Sequence, residues 1–297
     1  MTPAVTGVAV ALPGAHDADG LLRPAPPAAG PVDPAAVIGR KGLRFKDRAT
    51  RLGLHLAHVA LTDAGLLDGG RPTVPGDRIA AVVSSNLGNA DTVCRVAATI
   101  AEESTSALSP MDTPNASSNI IASETAIRFG LRGPNLTVCN GRSSGLDALR
   151  WASVLLRAGR ADHVLVTGVE PDNEVTRRLV GGPVADGGAA VVLSRTTAAA
   201  RPARALLGPL VRTARPADTA AALTRRRPDG RLWLGPGPVP PGARRIDLGA
   251  WGELSGALGV VQCAAATAVF ARGGGHRVVH ALAGAAGAAL LAPEPAR

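Results

Sequence analysis

The fold of this chain is decided by a run that reads Gly133-Pro134-Asn135-Leu136-Thr137-Val138 and continues, after three residues, as Arg142-Ser143-Ser144-Gly145. The apolar residues at 136–139 predict a short strand, and the apolar spacing over 144–157 predicts a helix. So few residues join the two that the chain must turn sharply between them; we name residues 139–145 the elbow. Its last residues stand at the N-terminus of the helix, which is the positive end of the helix dipole.

Strand-like and helix-like segments alternate on both sides of the elbow. Short apolar runs predict strands at 5–12, 79–84, 163–168 and 188–194. Capping residues and helical spacing predict a helix that begins after Asp47 and stops at Gly65, and further helices at 89–103 and 117–129. Strands separated by helices of this length are typical of a layered α/β domain.

Beyond Arg195 the sequence patterns that predict strands and helices are less regular. They predict a strand at 206–211, a helix at 217–224, a long apolar helix at 255–271, and a hairpin of 276–282 with 285–291. This part looks like a shortened version of the first part. We therefore predict two halves, residues 1–195 and residues 196–297.

The charge balance does not indicate a nucleic-acid partner. The chain has 297 residues with 32 Lys and Arg against 23 Asp and Glu, a net charge of +9. The basic residues are scattered, and a diffuse excess is weaker evidence for a polyanion than one basic stripe. Aromatic residues make up only 2%, with no Tyr, so stacking platforms for bases are nearly absent. We expect no nucleic-acid partner.

Cysteines, histidines and hydropathy indicate a protein without metal or membrane segment. Cys94, Cys139 and Cys263 form no C-x-x-C pair, which disfavours a disulfide framework and a zinc site. No acid or serine is placed by sequence beside His163, His276 or His280, so structural roles are expected for them. No apolar run reaches the roughly 18 residues of a membrane span. We expect a cytoplasmic protein with no cofactor.

The elbow resembles the nucleophile elbow of β-ketoacyl synthases, in which G-P-x-x-T-V leads into C-S-S-G. The approach Ser109-Pro110-Met111-Asp112-Thr113-Pro114 and the later run Asp186-Gly187-Gly188-Ala189-Ala190-Val191-Val192-Leu193 resemble the same family, in the same order. Because several spaced motifs agree over about residues 1–195, the resemblance is specific. It implies an α/β, thiolase-like fold with α-β-α-β-α layers, here with a truncated C-terminal half.

The same resemblance places other residue types where the family keeps its catalytic groups. Arg142 stands where the family has its cysteine, and a guanidinium has no lone pair with which to attack a thioester. Glu253 aligns with the second active-site histidine, and the first histidine motif has no equivalent. We therefore predict no catalytic residue and a vestigial site of Arg142, Ser143 and Glu253. Ser143 and Ser144 are expected to cap the helix.

Opposite charges at Arg142 and Glu253 predict a salt bridge in that vestigial site, because an unpaired arginine at a helix N-terminus is unfavourable. The alternative is that Arg142 reaches solvent or a backbone carbonyl.

An inactive synthase subunit resembles the chain-length factors of type II polyketide synthases, which pair with a catalytic ketosynthase through the strand before the elbow. The resemblance implies a heterodimer, an acyl carrier protein as second partner, and a short C-terminal half like that of polyene-making systems. It also implies a chain-length role for the helix at 89–103 and for the approach segment, with tunnel-lining positions Ala90, Val93, Cys94, Ala97, Met111 and Asp112. The alternative for the helix face is an ordinary core face.

Two other functions stay open at this point. One is an unconventional acyl decarboxylase or acyltransferase that uses Ser143 as nucleophile. The other is a scaffold that associates with itself and has no ketosynthase partner.

Overall fold

A computed structural model describes residues 2–26, 29–236 and 239–294. The remaining residues of the predicted halves 1–195 and 196–297 lie outside the described part, and the halves themselves stay a prediction as domains. The first part of the chain forms β1 (Ala4–Ala11), α1 (Ala35–Ile38), α2 (Arg48–Asp63), β2 (Leu67–Asp68), β3 (Arg71–Pro72), β4 (Ile79–Ser84), α3 (Ala90–Glu102), α4 (Ile120–Phe129), β5 (Asn135–Val138), α5 (Ser144–Arg157), β6 (His163–Glu170), α6 (Glu174–Val180) and β7 (Gly187–Ser194).

The second part repeats this strand arrangement with fewer residues. It forms β8 (Ala205–Arg212), α7 (Pro216–Arg226), β9 (Leu232–Leu234), β10 (Arg244–Ile246), α8 (Leu258–Ala271), β11 (Val278–Ala283) and β12 (Ala286–Leu291). Within the described residues one ten-stranded mixed sheet runs in the order β10-β9-β11-β12-β8-β1-β7-β6-β4-β5. In the first part, the pairs β1–β7 and β7–β6 are antiparallel, and the pairs β6–β4 and β4–β5 are parallel. The second part follows the same order: β8–β12 and β12–β11 are antiparallel, and β11–β9 and β9–β10 are parallel.

Three hydrophobic clusters define the layers. The central cluster joins α5 and α8 to one face of the strands of both parts. The opposite face of the first five strands packs on α2 and α4, and the opposite face of the second five packs on α7. The layers therefore follow the order α-β-α-β-α, as predicted.

Helix α8 is apolar on all sides because it lies in the central layer rather than at the surface. It crosses α5 at a pair of glycines: a Cβ added at Gly145 would lie 2.9 Å from the Cα of Gly259. The absence of both side chains lets the two helix backbones touch, and this contact holds the start of α5 in place.

Most predicted elements are confirmed, and a few differ. Asp47 caps α2 by accepting from the Thr50 amide at 2.6 Å. Residues 255–257, predicted as helix, form a 3-10 turn before α8, and His276 precedes strand β11. The strands β9 and β10 and the helix α6 were not predicted, because two- to three-residue pairings and short capped turns leave little periodicity. No helix in the described ranges is both long and apolar enough to cross a bilayer.

Candidate functional site at the elbow

The elbow is held by hydrogen bonds to the loop that follows β4. Gly141 adopts a left-handed conformation (φ 63°), which lets the chain reverse before α5. The Ser144 hydroxyl accepts from the Asn140 amide at 2.6 Å and lies 3.0 Å from Oδ1 of Asn86. The amide group of Asn86 in turn donates to the Gly141 carbonyl at 2.9 Å. The elbow is therefore tied to the loop that follows the adjacent parallel strand.

The prediction that Ser143 and Ser144 cap α5 is wrong for the side chains. Ser143 is the residue before the helix, but its hydroxyl makes no capping bond to a backbone amide. It lies 3.0 Å from Oδ2 of Asp147 and accepts from Nη1 of Arg212 at 3.1 Å. Asp147 also pairs with Arg212 and accepts from Asn140, so the acid one turn into the helix attracts the hydroxyl away from the helix end.

Arg142 and Glu253 form the predicted salt bridge, through Nη2 and Oε2. The other carboxylate oxygen of Glu253 accepts from the Ser255 amide at 2.7 Å. The Arg142 side chain is 54% exposed and that of Glu253 is 24% exposed, so the pair lies at the surface of the elbow. The alternative, in which Arg142 reaches only solvent or a carbonyl, is wrong.

Sequence reasoning missed Glu170, the buried acid that connects the elbow to the segment around Glu253. Its carboxylate accepts from the amides of Asn86 at 2.8 Å, Leu87 at 3.0 Å and Gly256 at 2.8 Å, and from the Ser85 hydroxyl at 3.0 Å. Burial raises the pKa of Glu170 to about 7, and the four donors oppose that rise because they favour the ionised form. The only signal in the sequence is an acid at the end of an apolar strand.

Helix α3 presents its predicted face to the surface. Val93 is 44% exposed, Cys94 and Ala97 are exposed, and Ala90 is half-buried. The interpretation as an ordinary core face is therefore wrong, because the residue that α3 buries is Thr92. Met111 is 57% exposed and Asp112 is half-buried. We name the exposed set Val93, Cys94, Ala97, Ile100 and Met111 the α3 surface. The amide of Asn89 donates to the Ala116 carbonyl at 2.8 Å and ties α3 to the segment that follows Met111.

Strand β5 is the edge of the sheet, since among the described residues it pairs with β4 alone. The helices that contact it, α4 and α5, carry large hydrophobic side chains that face outward. Ile127 is 75% exposed, Trp151 is 51% exposed and Val154 is 37% exposed. An unpaired strand edge with apolar side chains beside it is a surface suited to pairing with another chain.

The histidines lie away from the elbow. None of them hydrogen-bonds to Ser143 or Ser144 in the described part of the chain. His163 bonds to the Ser194 hydroxyl at 2.8 Å, and His280 stacks edge-on against Trp233 with ring centroids 4.4 Å apart. Among the described residues there is no group of three or more His, Cys, Asp or Glu side chains that could hold a metal ion.

Comparisons with known proteins match this geometry to one family. The family described as "Beta-ketoacyl synthase, N-terminal domain" matches residues 30–179. The chain is 31% identical over 116 residues to 3-oxoacyl-(acyl-carrier-protein) synthase 2 of Rhizobium meliloti, covering 38% of this chain and 27% of that one. It is 24% identical over 173 residues to the enzyme of the same name from Coxiella burnetii, covering 58% and 39%. The match therefore spans less than half the length of these curated relatives.

Solved structures match nearly the whole chain. The structure of the ishigamide ketosynthase/chain length factor has a TM-score of 0.78 at 23% identity, with 98% of this chain and 99% of that chain covered. The AntDE:AntF structure, a type II PKS acyl-carrier protein in complex with its ketosynthase bound to the hexaketide, has a TM-score of 0.80 at 14% identity, with 98% and 99% covered. These likenesses confirm the thiolase-like fold.

Proposed function

The chain belongs to the β-ketoacyl synthase family, and we propose that it is a non-catalytic chain-length factor of a type II polyketide synthase. In this proposal it pairs with a catalytic ketosynthase and shapes the tunnel that receives the growing acyl chain. The observation that carries the proposal is the ion pair of Arg142 with Glu253. The resemblance aligns these two residues with the family's nucleophile and with one of its active-site histidines. The polyene-making, highly reducing class is the type of system we propose.

The chemistry available at the elbow supports a subunit without its own synthase activity. A guanidinium stays protonated and cannot attack a thioester. Ser143 is 5% exposed and its hydroxyl faces Asp147, whose charge is offset by Arg212. A nucleophilic serine needs a base that can take its proton, and a carboxylate paired with a guanidinium is a weak base. An acyltransferase that uses Ser143 is therefore the less favoured function.

The edge of β5 supports a heterodimer. The strand offers unpaired backbone groups along one side, and Ile127, Trp151 and Val154 surround it with apolar area. A synthase subunit that adds its own edge strand would satisfy the backbone groups and bury these side chains.

The α3 surface supports a chain-length role. Its residues are accessible on this chain, and Cys94 and Ala97 at its centre are small, so a partner's tunnel that ends against them would have room for a long acyl chain. We expect Ala97→Phe to shorten the product made by the complex, because the ring adds volume where the chain would end. Ala221→Phe, on an exposed position of α7, is the matched control. An unchanged product length in an intact Ala97→Phe complex would contradict the tunnel assignment.

A basic segment beside the α3 surface supports an acyl carrier protein as second partner. Arg40, Lys41 and Arg44 are exposed and make no ion pair within the described residues. The amide of Asn115 donates to the Phe45 carbonyl at 2.7 Å, so this segment contacts the chain that follows Met111. Carrier proteins are usually acidic, and exposed positive charge accelerates the encounter with an acidic partner.

Co-expression with a cysteine-bearing ketosynthase encoded beside this chain tests the proposal. We expect a stable 1:1 complex in native mass spectrometry, which forms product only when the partner keeps its cysteine. A homodimer that persists in the presence of the synthase would favour a self-associating scaffold instead. Intact-mass analysis after incubation with an acyl-carrier substrate tests the enzyme alternative, because acylation of Ser143 would add the mass of the acyl group to this chain.

A further inference from the structure

A polar cavity of about 640 Å³ lies between α5 and β8, and nothing in the proposed function uses it. One wall is α5 with Arg150, Ser153 and Arg157, and the other is β8 from Leu207 to Arg212. The end of α7 adds Arg226, and residues 2–3 close one end. The volume falls within the range of sites that bind small metabolites.

Positive charge dominates this cavity. Four arginines line it, and Arg212 is the one among them that has an acidic partner, Asp147. Arg150, Arg157 and Arg226 are exposed and form neither an ion pair nor a hydrogen bond with the residues that the structure describes. Like charges that face one concavity repel each other and attract an anion from solution.

Two further features supply hydrogen-bond donors. Ser153 is only 6% exposed, lines the cavity, and its hydroxyl has no protein partner in the described part of the chain. Strand β8 pairs with β1 only at Ala205 and Leu206, so its edge from Gly208 onward is not covered by β1. The Ser153 hydroxyl is open to the cavity rather than enclosed by protein, so it can donate to a ligand that binds there.

We propose that this cavity, formed by Arg150, Ser153, Arg157 and Arg226, binds a small molecule that carries a diphosphate group. Guanidinium groups match phosphate oxygens in charge and in planar, two-pronged geometry. Arg150 and Arg157 stand about 10 Å apart along the helix axis, so with two linked phosphates each guanidinium group can bind a phosphate of its own. The Ser153 hydroxyl donates to an oxygen of the ligand. Arg212 connects the cavity to the elbow through its bonds to Asp147 and Ser143.

Isothermal titration calorimetry on the 297-residue chain, with sodium pyrophosphate as probe, tests the site. We expect one saturable site per chain, with sodium phosphate and sodium sulfate binding at least tenfold more weakly. The double variant R150Q/R157Q should lose at least tenfold in affinity for pyrophosphate. R226Q, which leaves α5 unchanged because Arg226 lies on α7, should lower the affinity for pyrophosphate at least threefold.

The matched control is R71Q, an exposed arginine on β3 that lies outside the cavity and makes no ion pair among the described residues. It should leave the affinity within twofold of the unchanged chain, and circular dichroism melts should show that all variants are folded. The proposal is overturned if pyrophosphate gives no saturable binding, if sulfate binds as tightly, or if R71Q weakens binding as much as R150Q/R157Q. Because these measurements need no ketosynthase partner, they can fail while the chain-length proposal stands.

Discussion

The ion pair between Arg142 and Glu253 can be measured by a double-mutant cycle. The variants are Arg142→Gln, Glu253→Gln, the two combined, and Glu253→Ala. Each glutamine removes a charge and keeps the approximate shape of the side chain, so the cycle isolates the charge–charge contribution. The exposed Arg178–Glu174 pair on α6, with side chains 78% and 77% exposed, provides the reference for a solvated pair.

The exposure of the pair sets the expected size of the effect. Half-exposed pairs contribute about 0.2–1 kcal/mol to the free energy of unfolding. We therefore expect Arg142→Gln and Glu253→Gln each to cost about 0.5 kcal/mol, and the double variant to cost about 0.5 kcal/mol less than their sum. Glu253→Ala should cost about 2 kcal/mol, because it also removes the charged acceptor of the Ser255 amide. Ser255 has a positive φ of 39°, so its loop depends on that bond.

Urea unfolding followed by circular dichroism measures these differences, at low salt and again at 1 M NaCl. Salt at that concentration shortens the Debye length to about 3 Å, so the coupling energy of this exposed pair should decrease while the additional cost of Glu253→Ala persists. A coupling energy below about 0.2 kcal/mol at low salt would refute the reasoning. A coupling energy of several kcal/mol would also refute the reasoning, because energies of that size are typical of buried ion pairs rather than exposed ones.

Two further predictions concern the stability of the central and outer layers. Gly259→Ala places a Cβ 2.3 Å from the Leu146 amide nitrogen. We therefore expect it to lower the free energy of unfolding by about 1–3 kcal/mol in urea melts. Gly182→Ala is the control and should be nearly neutral, because a Cβ there meets no atom within 4 Å. Burial lowers the pKa of His280 from 6.5 to about 4, so the folded chain resists protonation. The contribution of His280 to the free energy of unfolding should be fully present above pH 6.5 and fall by about 3 kcal/mol as the pH drops to 4. The difference in unfolding free energy between the unchanged chain and His280→Leu, measured across that range, isolates this contribution from that of Glu170, whose raised pKa acts in the opposite direction.

The elements around the elbow were predictable because local rules determine them. Asp47 begins α2 as a cap, and the apolar run at 163–168 forms a buried strand. The antiparallel hairpin of β11 and β12 follows from two apolar runs with a short turn between them. The Arg142–Glu253 pair was predictable for a different reason. The family resemblance aligns both residues with positions that converge in one site, although they are 111 residues apart in sequence, and their opposite charges favour a salt bridge.

The parts that sequence did not reveal depend on long-range contacts. Residues of α3 repeat at helical spacing, and that pattern cannot distinguish a face that packs in its own core from one that faces outward. Ser143 stands where a cap is expected, yet Asp147 and Arg212 determine where its hydroxyl points. Glu170 accepts its hydrogen bonds only because the fold brings residues 85–87 and 256 to the end of β6, and no sequence pattern reveals that proximity.

The elbow keeps its turn although Arg142 brings a positive charge that the start of a helix disfavours. An arginine at the start of α5 faces the positive end of the helix dipole, and Glu253 offsets that unfavourable charge. Asn86 and Glu170 meanwhile connect the elbow, the loop after β4 and the turn before α8 by hydrogen bonds that do not involve the Arg142–Glu253 pair. The elbow follows directly from β5, so the same bonds fix the end of the edge strand. A chain whose proposed task is to present that edge to a partner needs the geometry of the elbow and not its chemistry.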